Sequence, residues 1–314
     1  LDALKILLIS IFIIILFWTS THKNLITEPI NLIMLSLNYG WGYPFTFFNG
    51  EIYEGQKIPL TYIIINLFYK TPEYIIFLIL IFIIFFKKIN SFNSKKINSF
   101  LIKTTFVILN IILPTFLLLL NPFAIYDGFR LFLFILPYVS IIAAISTFYL
   151  YENIKIKINK ALIVITTALG FYYLFFFLSI TPYHYTYVNL LSGKYSNANS
   201  RFENDYWGTS LKELVSKIKK NQSILSKNKI KLNVCGVSAS TVKYYLKKNN
   251  LKNFKIVREN ENPEFVILTN RVPLSYDSKK DSKTHTCFSK FQGKNIISVK
   301  RNGLYLSAMK KIDN

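Results

Sequence analysis

The sequence predicts an α-helical polytopic membrane protein with about five visible spans, followed by a C-terminal extracytoplasmic α/β domain. Three observations lead to this fold class. Hydrophobic residues make up 52% of the 314 residues and the mean hydropathy is positive, which exceeds what one soluble core needs. Many of these residues fall in runs near the ~20 residues that cross a hydrocarbon core. After residue 180 the pattern changes to alternating short strands and helices.

Five apolar runs are the predicted spans. They cover Leu4–Trp18, Thr71–Phe86, Phe100–Leu120, Leu131–Leu150 and Ala161–Ile180. The first two are the shortest. We therefore divide the chain into a transmembrane region, 1–180, which includes an extracytoplasmic loop at 20–70, and an extracytoplasmic α/β domain, 181–314.

Lysines beside the apolar runs predict how the spans are oriented in the membrane. They crowd the short loops after the second and fourth runs, as Lys87, Lys88, Lys95, Lys96, Lys103, Lys155, Lys157 and Lys160. Short loops rich in lysine stay in the cytoplasm. We therefore expect an integral protein of the cytoplasmic (inner) membrane, whose tail after Ile180 lies outside the cytoplasm.

The loop at 20–70 is too long to be a simple connection. Asn24–Leu37 mixes apolar and polar residues in a way that suits a helix lying in the interface. Asn49-Gly50-Glu51 predicts a turn that presents a carboxylate. Ile58–Tyr69 is apolar again and stops before Pro72, which predicts a re-entrant or interfacial helix leading into the second span.

The tail carries the signals of a small α/β domain. We expect helices at Thr209–Lys219 and Ser238–Lys248, strands at Ile230–Cys235, Phe254–Glu259 and Phe265–Thr269, and a hairpin of Ile296–Lys300 with Leu304–Met309. The hairpin follows from Asn302-Gly303, a favoured two-residue turn. The two cysteines, Cys235 and Cys287, are either bridged or free and buried, and spacing alone does not decide between these states.

The formal net charge is +22, and most of it lies in the tail. From Thr181 onward there are 25 lysines and arginines but only 9 acidic residues. A basic domain beside a bilayer favours anionic headgroups or phosphate-bearing lipid carriers over nucleic acid. The alternative is a compositional bias toward lysine, asparagine and isoleucine that implies no partner. The predicted partners are the lipid bilayer and a lipid-linked phosphate, without nucleic acid.

The stretch from Tyr126 to Arg130 places Asp127 and Arg130 between two apolar runs, at a predicted bilayer edge. Ionisable residues there mark a functional site or, alternatively, cap and anchor a helix end. An arginine can hold a phosphate with two hydrogen bonds, and a carboxylate can accept the proton of an attacking hydroxyl. Phosphate-binding glycine loops, metal-ligand spacings and nucleophile elbows are absent from the sequence, so we expect no metal and no cofactor.

Three short motifs carry a resemblance. They are Phe48-Asn49-Gly50-Glu51-Ile52-Tyr53 with Ile58-Pro59-Leu60-Thr61-Tyr62, Tyr126-Asp127-Gly128-Phe129-Arg130, and Asp205-Tyr206-Trp207-Gly208-Thr209-Ser210. In this order they resemble bacterial membrane glycosyltransferases of the dolichyl-phosphate-mannose-protein mannosyltransferase-like group. The resemblance implies a GT-C superfamily fold, a polyprenyl-phosphate sugar donor and transfer to an extracytoplasmic acceptor. It places Asn49, Tyr126, Asp127 and Arg130 at the substrate.

In that group the catalytic acid lies in the first extracytoplasmic loop, upstream of the residues present here. The resemblance therefore implies a C-terminal portion that lacks the catalytic loop and transfers no sugar alone, with Glu51 as the possible substitute base. Two other classes share some of these features. A polysaccharide polymerase or lipid-linked-sugar transporter would also show apolar spans with arginines at the boundary. A membrane-anchored binding module would need the basic tail but not the polar groups between the helices.

Overall fold

The computed structural model describes residues 2–18, 22–24, 27–37, 45–54, 57–120, 125, 128–153, 156–221, 226, 229–273, 286–291 and 293–312. They form two compact units, Leu1–Gly42 and Tyr43–Asn314. The described chain is mostly helical, and a separate β-sheet region occupies its C-terminal part.

The described part of the first unit contains two α-helices. Helix α1, Asp2–Phe17, consists mainly of isoleucine, leucine and phenylalanine, and its 16 residues fall short of the ~20 that cross a hydrocarbon core. Helix α2, Thr27–Leu37, lies in the segment predicted to be an interfacial helix. The Thr27 amide donates to Asn24 Oδ1 at 3.0 Å, so Asn24 caps the first turn of α2.

The second unit opens with a hairpin and continues as a series of helices. Strands β1, Phe45–Phe48, and β2, Glu51–Glu54, are antiparallel and meet at a turn. Asn49 and Gly50 form this turn with positive φ angles, a conformation that both residue types adopt readily. The helices are α3 Tyr62–Lys70, α4 Glu73–Ile84, α5 Phe86–Ser94, α6 Phe100–Leu120, α7 Leu136–Asn153 and α8 Ile156–Ile180.

Three stretches of the described chain are long and apolar enough to cross a membrane: Phe100–Leu117, Arg130–Asn153 and Ile163–Ile180. Five were expected. The first expected span forms only the 16 residues of α1, and the second forms the 12 residues of α4. Because α3 and α4 meet at a bend of 118°, they add at most one broken span. The described helices therefore account for three to four of the five expected spans, and Leu4–Phe17 is a shorter apolar helix.

Helices α4, α5 and α6 pack around α7. Phe82 of α4, Ile89 of α5, Phe100 of α6 and Ile142 of α7 form one buried apolar cluster. Beyond α5, Lys96 Nζ lies 3.0 Å from Glu152 Oε2 in the last turn of α7. The lysine-rich segment after α5 therefore lies at the same end of the helices as the C-terminus of α7.

Five strands form the sheet of the tail, in the spatial order β4, β3, β5, β7, β6. They are β3 Ile230–Cys235, β4 Phe254–Ile256, β5 Phe265–Thr269, β6 Asn295–Arg301 and β7 Leu304–Lys311. Strands β3, β4 and β5 are parallel, and β7 is antiparallel to both β5 and β6. Strand β5 is central and buried throughout, as its continuous apolar sequence predicts.

Among the residues that the structure describes, three helices accompany the sheet: α9 Leu211–Lys219, α10 Ala239–Lys248 and α11 Cys287–Lys290. Helix α9 buries Leu211, Leu214, Val215 and Ile218, whose spacing places them on one helical face. The predicted hairpin is confirmed, since Asn302 and Gly303 join β6 to β7 with positive φ angles. The cysteines are bridged: a disulfide joins Cys235 at the end of β3 to Cys287 in α11, with the Cα atoms 5.7 Å apart.

A polar junction joins the end of α8 to the sheet region. The Arg301 guanidinium lies 2.7 Å from the Glu213 carboxylate and donates from Nε to the Thr181 carbonyl oxygen at 3.1 Å. The Tyr183 hydroxyl donates to the same carboxylate at 3.0 Å. Burial opposes ionisation of Glu213, but hydrogen bonds from Arg301, Lys217 and Tyr183 outweigh it and lower the pKa of Glu213 to about 2.

Asp205 completes this junction at the start of α9. Its buried carboxylate accepts hydrogen bonds from the Thr209 amide at 2.7 Å and hydroxyl at 2.8 Å, and from the Ser210 amide at 3.0 Å. The hydroxyls of Ser210 and Tyr185 donate to it as well. Burial raises the pKa of Asp205, and these hydrogen bonds oppose that rise. We refer to Tyr183, Asp205, Glu213 and Arg301 as the junction.

Candidate functional site

A cavity of about 430 Å³ lies between the ends of the helices and the chain that leads into the sheet region. Its volume falls within the range of small-molecule sites in proteins. The wall is built from β1, α3, the start of the Arg130–Asn153 helix and the chain that follows α8. Most of it is aromatic or aliphatic: Phe47, Phe48, Tyr62, Phe129, Leu133, Leu136, Phe177, Tyr185, Tyr187, Phe202, Tyr206 and Trp207.

The cavity and the lysine-rich segment lie at opposite ends of α7. Leu136, the first residue of α7, lines the cavity, whereas Glu152 in its last turn contacts Lys96. Eighteen helical residues extend about 27 Å, close to the thickness of a hydrocarbon core. Phe177, in the last turn of α8, also lines the cavity, so the cavity lies at the end from which the tail emerges.

Lys70 is the cation that α3 brings to the cavity. It ends α3, is half-buried, and its Nζ lies 5.6 Å from the centroid of the Phe202 ring. Among the residues that the structure describes, none offers Lys70 a hydrogen bond or a carboxylate. A lysine withdrawn from water without a partner is unfavourable. An anion in the cavity would supply the missing partner.

Arg130 is a second cation at the cavity, in the 3-10 turn before α7. It is exposed, and its Cζ lies 5.0 Å from the centroid of the Trp207 ring. A guanidinium over an indole face is attracted by the ring quadrupole. Trp207 therefore orients Arg130 at the rim, and the two residues come from two of the motifs on which the family resemblance depends.

Asn66 places an amide in the same wall. It is fully buried on α3, and its Nδ2 donates to the Tyr62 carbonyl at 3.0 Å. Its Oδ1 has no hydrogen-bond partner in the described part of the chain. An unsatisfied buried acceptor costs about 1–3 kcal/mol. A ligand hydroxyl that donates to this oxygen would remove that penalty.

The cavity also contains an acid and an imidazole. Glu203 is 8% exposed, and its Oε1 accepts a hydrogen bond from the Val272 amide at 3.1 Å. His184 Nε2 lies 3.1 Å from Thr181 Oγ1 and 3.2 Å from the Phe177 carbonyl oxygen. Within the described ranges no three His, Cys, Asp or Glu side chains gather as metal ligands.

The residues predicted to form the site lie in different places. Arg130 lines the cavity, whereas Tyr126 and Asp127 lie outside the described residues. Asn49 is in the β1–β2 turn, and Glu51 is exposed on β2, where it accepts a hydrogen bond from the Tyr53 hydroxyl at 2.5 Å. Neither Asn49 nor Glu51 is among the described residues that line the cavity. The hairpin that carries them contributes Phe47 and Phe48 instead.

Lys70 and Asn66 were missed from the sequence. The available signal was a lysine and an asparagine in the otherwise apolar segment before Pro72. Such residues also occur at ordinary helix ends and on exposed helix faces, so this signal is weak without the fold. Trp207 belongs to one of the motifs of the sequence, but its contact with the cavity, like that of Glu203, depends on how the tail folds back.

Comparison with protein-family models, with curated proteins and with solved structures found no match to this chain.

Proposed function

We propose that this chain is part of a membrane glycosyltransferase that transfers a sugar from a polyprenyl-phosphate donor to an extracytoplasmic acceptor. The cavity at the ends of the candidate spans carries this proposal, because it combines a largely aromatic wall with Lys70 and Arg130. A polyprenyl-phosphate sugar has matching parts: an apolar chain, an anionic phosphate and a sugar rich in hydroxyls. The motif resemblance to the GT-C group is a separate argument for the same donor.

The two cations suit the phosphate in different ways. Arginine presents a planar fork that can donate two parallel hydrogen bonds to phosphate, whereas lysine acts as a compact point charge. Lys70 has no partner of its own among the described residues, so a phosphate would bind there without first displacing a carboxylate. The Asn66 Oδ1 is an acceptor for a sugar hydroxyl.

Two observations support placing the cavity and tail outside the cytoplasm. The lysine-rich segment near Lys96 lies at the end of α7 away from the cavity, and such segments stay in the cytoplasm. The Cys235–Cys287 disulfide lies in the tail, and structural disulfides persist mainly in oxidising compartments. Both observations support an extracytoplasmic tail.

The test is binding of a radiolabelled polyprenyl phosphate to the intact protein in lipid nanodiscs. We expect Lys70→Met and Arg130→Ala each to weaken binding about 10- to 100-fold, since each removes a charge-assisted hydrogen bond. Arg130→Lys should also impair binding because it loses the fork. Matched controls are Lys57→Met and Arg258→Ala, both exposed and outside the described cavity wall, which should bind as the wild type does.

Two results would contradict the proposal. If the cavity variants bind polyprenyl phosphate as well as their controls do, the cavity is not the phosphate site. If phosphatidylglycerol displaces the probe as effectively as unlabelled polyprenyl phosphate does, the site recognises phospholipid headgroups in general and not a carrier lipid.

A further inference from the structure

Asn189, in the chain that follows α8, caps the C-terminal end of helix α3. Its buried side chain donates from Nδ2 to the Phe68 carbonyl at 2.6 Å and to the Thr71 carbonyl at 2.8 Å. Its backbone amide donates to the Tyr69 carbonyl at 2.8 Å. The last carbonyls of a helix have no partner within the helix itself. Asn189 therefore supplies three hydrogen bonds at the end of the helix that carries Lys70.

The next residue, Leu190, holds the start of α4. Its amide donates to the Glu73 carboxylate in the first turn of α4, and the Tyr173 hydroxyl of α8 donates to the same carboxylate. Helices α3 and α4 meet at a bend of 118°. Because Asn189 binds the end of α3 and Leu190 binds the start of α4, the chain after α8 fixes the position of α3 relative to α4 at this bend.

Lys70 is the last residue of α3, and Asn189 binds the carbonyls of its sequence neighbours Tyr69 and Thr71. Lys70 lines the cavity, whereas Asn189 is not among the described residues that do so. Asn189 therefore affects a ligand in the cavity through the backbone of α3. A lysine has a flexible four-carbon stem, so the place of its ammonium group depends on where the backbone holds it. The attraction between ammonium and phosphate weakens as the two groups move apart.

Building on the proposed function, we infer that Asn189 is a positioning residue for the donor phosphate. By fixing the end of α3, it holds the Lys70 ammonium where the phosphate of the polyprenyl-phosphate donor binds. Loss of the Asn189 side chain leaves the Phe68 and Thr71 carbonyls without this donor, and they turn toward other partners. The backbone at Lys70 moves with them, and Lys70 then contributes less to phosphate binding. Neither Phe68 nor Thr71 is among the described residues of the cavity wall, so binding of the polyprenyl chain should not depend on them.

The first test is a double-mutant cycle on the intact protein in lipid nanodiscs, with binding of radiolabelled polyprenyl phosphate as the readout. Asn189→Ala should weaken binding about 5- to 20-fold, because Lys70 is still present but is no longer held in place. In the Lys70→Met background the same substitution should change binding less than about twofold, since a residue that acts through Lys70 has no effect once Lys70 is gone. Asn189→Ser, which keeps one donor, should weaken binding less than Asn189→Ala does.

Polyprenol, which has the same chain without the phosphate, provides the second readout. Asn189→Ala and Asn189→Ser should bind radiolabelled polyprenol within about twofold of the wild type, whereas a distorted cavity would lose both ligands. The matched control is Asn249→Ala. Asn249 Nδ2 donates to the Tyr245 carbonyl at 2.9 Å at the end of α10, and Asn249 is outside the described cavity wall. This variant should bind both ligands as the wild type does.

The outcomes separate this inference from the function on which it rests. Wild-type binding of polyprenyl phosphate by both Asn189 variants would overturn the inference, while the donor site stands. A loss that is as large in the Lys70→Met background as in the wild type would also overturn it, because Asn189 then acts without Lys70. An equal loss of polyprenyl phosphate and polyprenol would overturn it too, since that result indicates a structural role for Asn189. Failure of the wild-type protein to bind polyprenyl phosphate would instead refute the proposed function.

Discussion

The cavity and the junction both place charged groups away from water, but they satisfy them differently. In the junction, Glu213 receives hydrogen bonds from Arg301 and Tyr183, and Asp205 receives five. In the cavity, Lys70 and the Asn66 carbonyl oxygen have no hydrogen-bond partner among the described residues. Polar groups whose hydrogen bonds are made within the protein stabilise the fold, whereas polar groups without such partners can bind a ligand.

This difference separates two roles within one short motif, Asp205 to Ser210. Asp205 and Trp207 are two residues apart, yet Asp205 is buried with its hydrogen bonds inside the protein, and Trp207 is 53% exposed at the cavity rim. The carboxylate holds the start of α9, and the indole orients Arg130. Acidic character alone is therefore a poor guide to which residue contacts a substrate.

The largest expected effect on stability is at Asp205. Asp205→Ala removes the acceptor of five hydrogen bonds, and it leaves the buried amide and hydroxyl of Ser210 without this partner. We expect a loss of about 3 kcal/mol in the free energy of unfolding, measured by thermal unfolding in detergent micelles. Asp2→Ala is the control, because the Asp2–Lys5 pair is exposed and contributes little. An unchanged melting temperature for Asp205→Ala would show that this network does not stabilise the fold.

Substitution of two lysines, Lys310 and Lys70, is expected to have the second-largest effect on stability. Lys310 on β7 is 7% exposed and donates to the carbonyls of Phe288 at 3.0 Å and Phe291 at 2.8 Å. Lys310→Met should lower the free energy of unfolding by about 1–2 kcal/mol because two carbonyls lose their donor. Lys70→Met should leave stability unchanged or raise it, since it removes a cation without a described partner.

Melting temperatures of the two variants in the same detergent provide the comparison. If Lys70→Met destabilises the protein as much as Lys310→Met does, then Lys70 contributes to the fold, and the contrast between the cavity and the junction fails.

Local patterns allowed much of the sheet region to be predicted. The spacing of Leu211, Leu214 and Ile218 indicates a buried helix face, and Asn302-Gly303 indicates a tight turn, whatever the rest of the chain does. The cavity depends on contacts between distant segments. Lys70 and Trp207 line the same cavity only after the chain folds. The pairing of Cys235 with Cys287 likewise could be assigned only from the fold. Sequence periodicity contains no information of that kind.

The smallest expected effect is the pH dependence of the junction. The pKa of Glu213 is about 2 in the folded protein against 4.5 when unperturbed. A lowered folded pKa means that the contribution of Glu213 to stability is complete above the unfolded value and is lost as the pH falls from 4.5 toward 2. Glu213→Gln should therefore show a weaker decline of melting temperature over this range than the wild type does. Glu54→Gln, which alters an exposed carboxylate, should follow the wild type.

The pKa of Asp205 is shifted in the opposite direction from that of Glu213, so the two residues affect stability in different pH ranges. Burial raises the pKa of Asp205 above its usual 3.8, so its contribution is fully present below 3.8 and is lost as the pH rises above that value. Below 3.8 the Asp205 contribution is constant, and the difference between wild type and Glu213→Gln reports on Glu213. If the melting temperatures of the two proteins change in parallel below pH 3.8, the Arg301–Glu213 pair does not perturb the Glu213 carboxylate. If the difference in melting temperature between the two proteins instead narrows as the pH falls, the Arg301–Glu213 ion pair contributes part of the junction's stability.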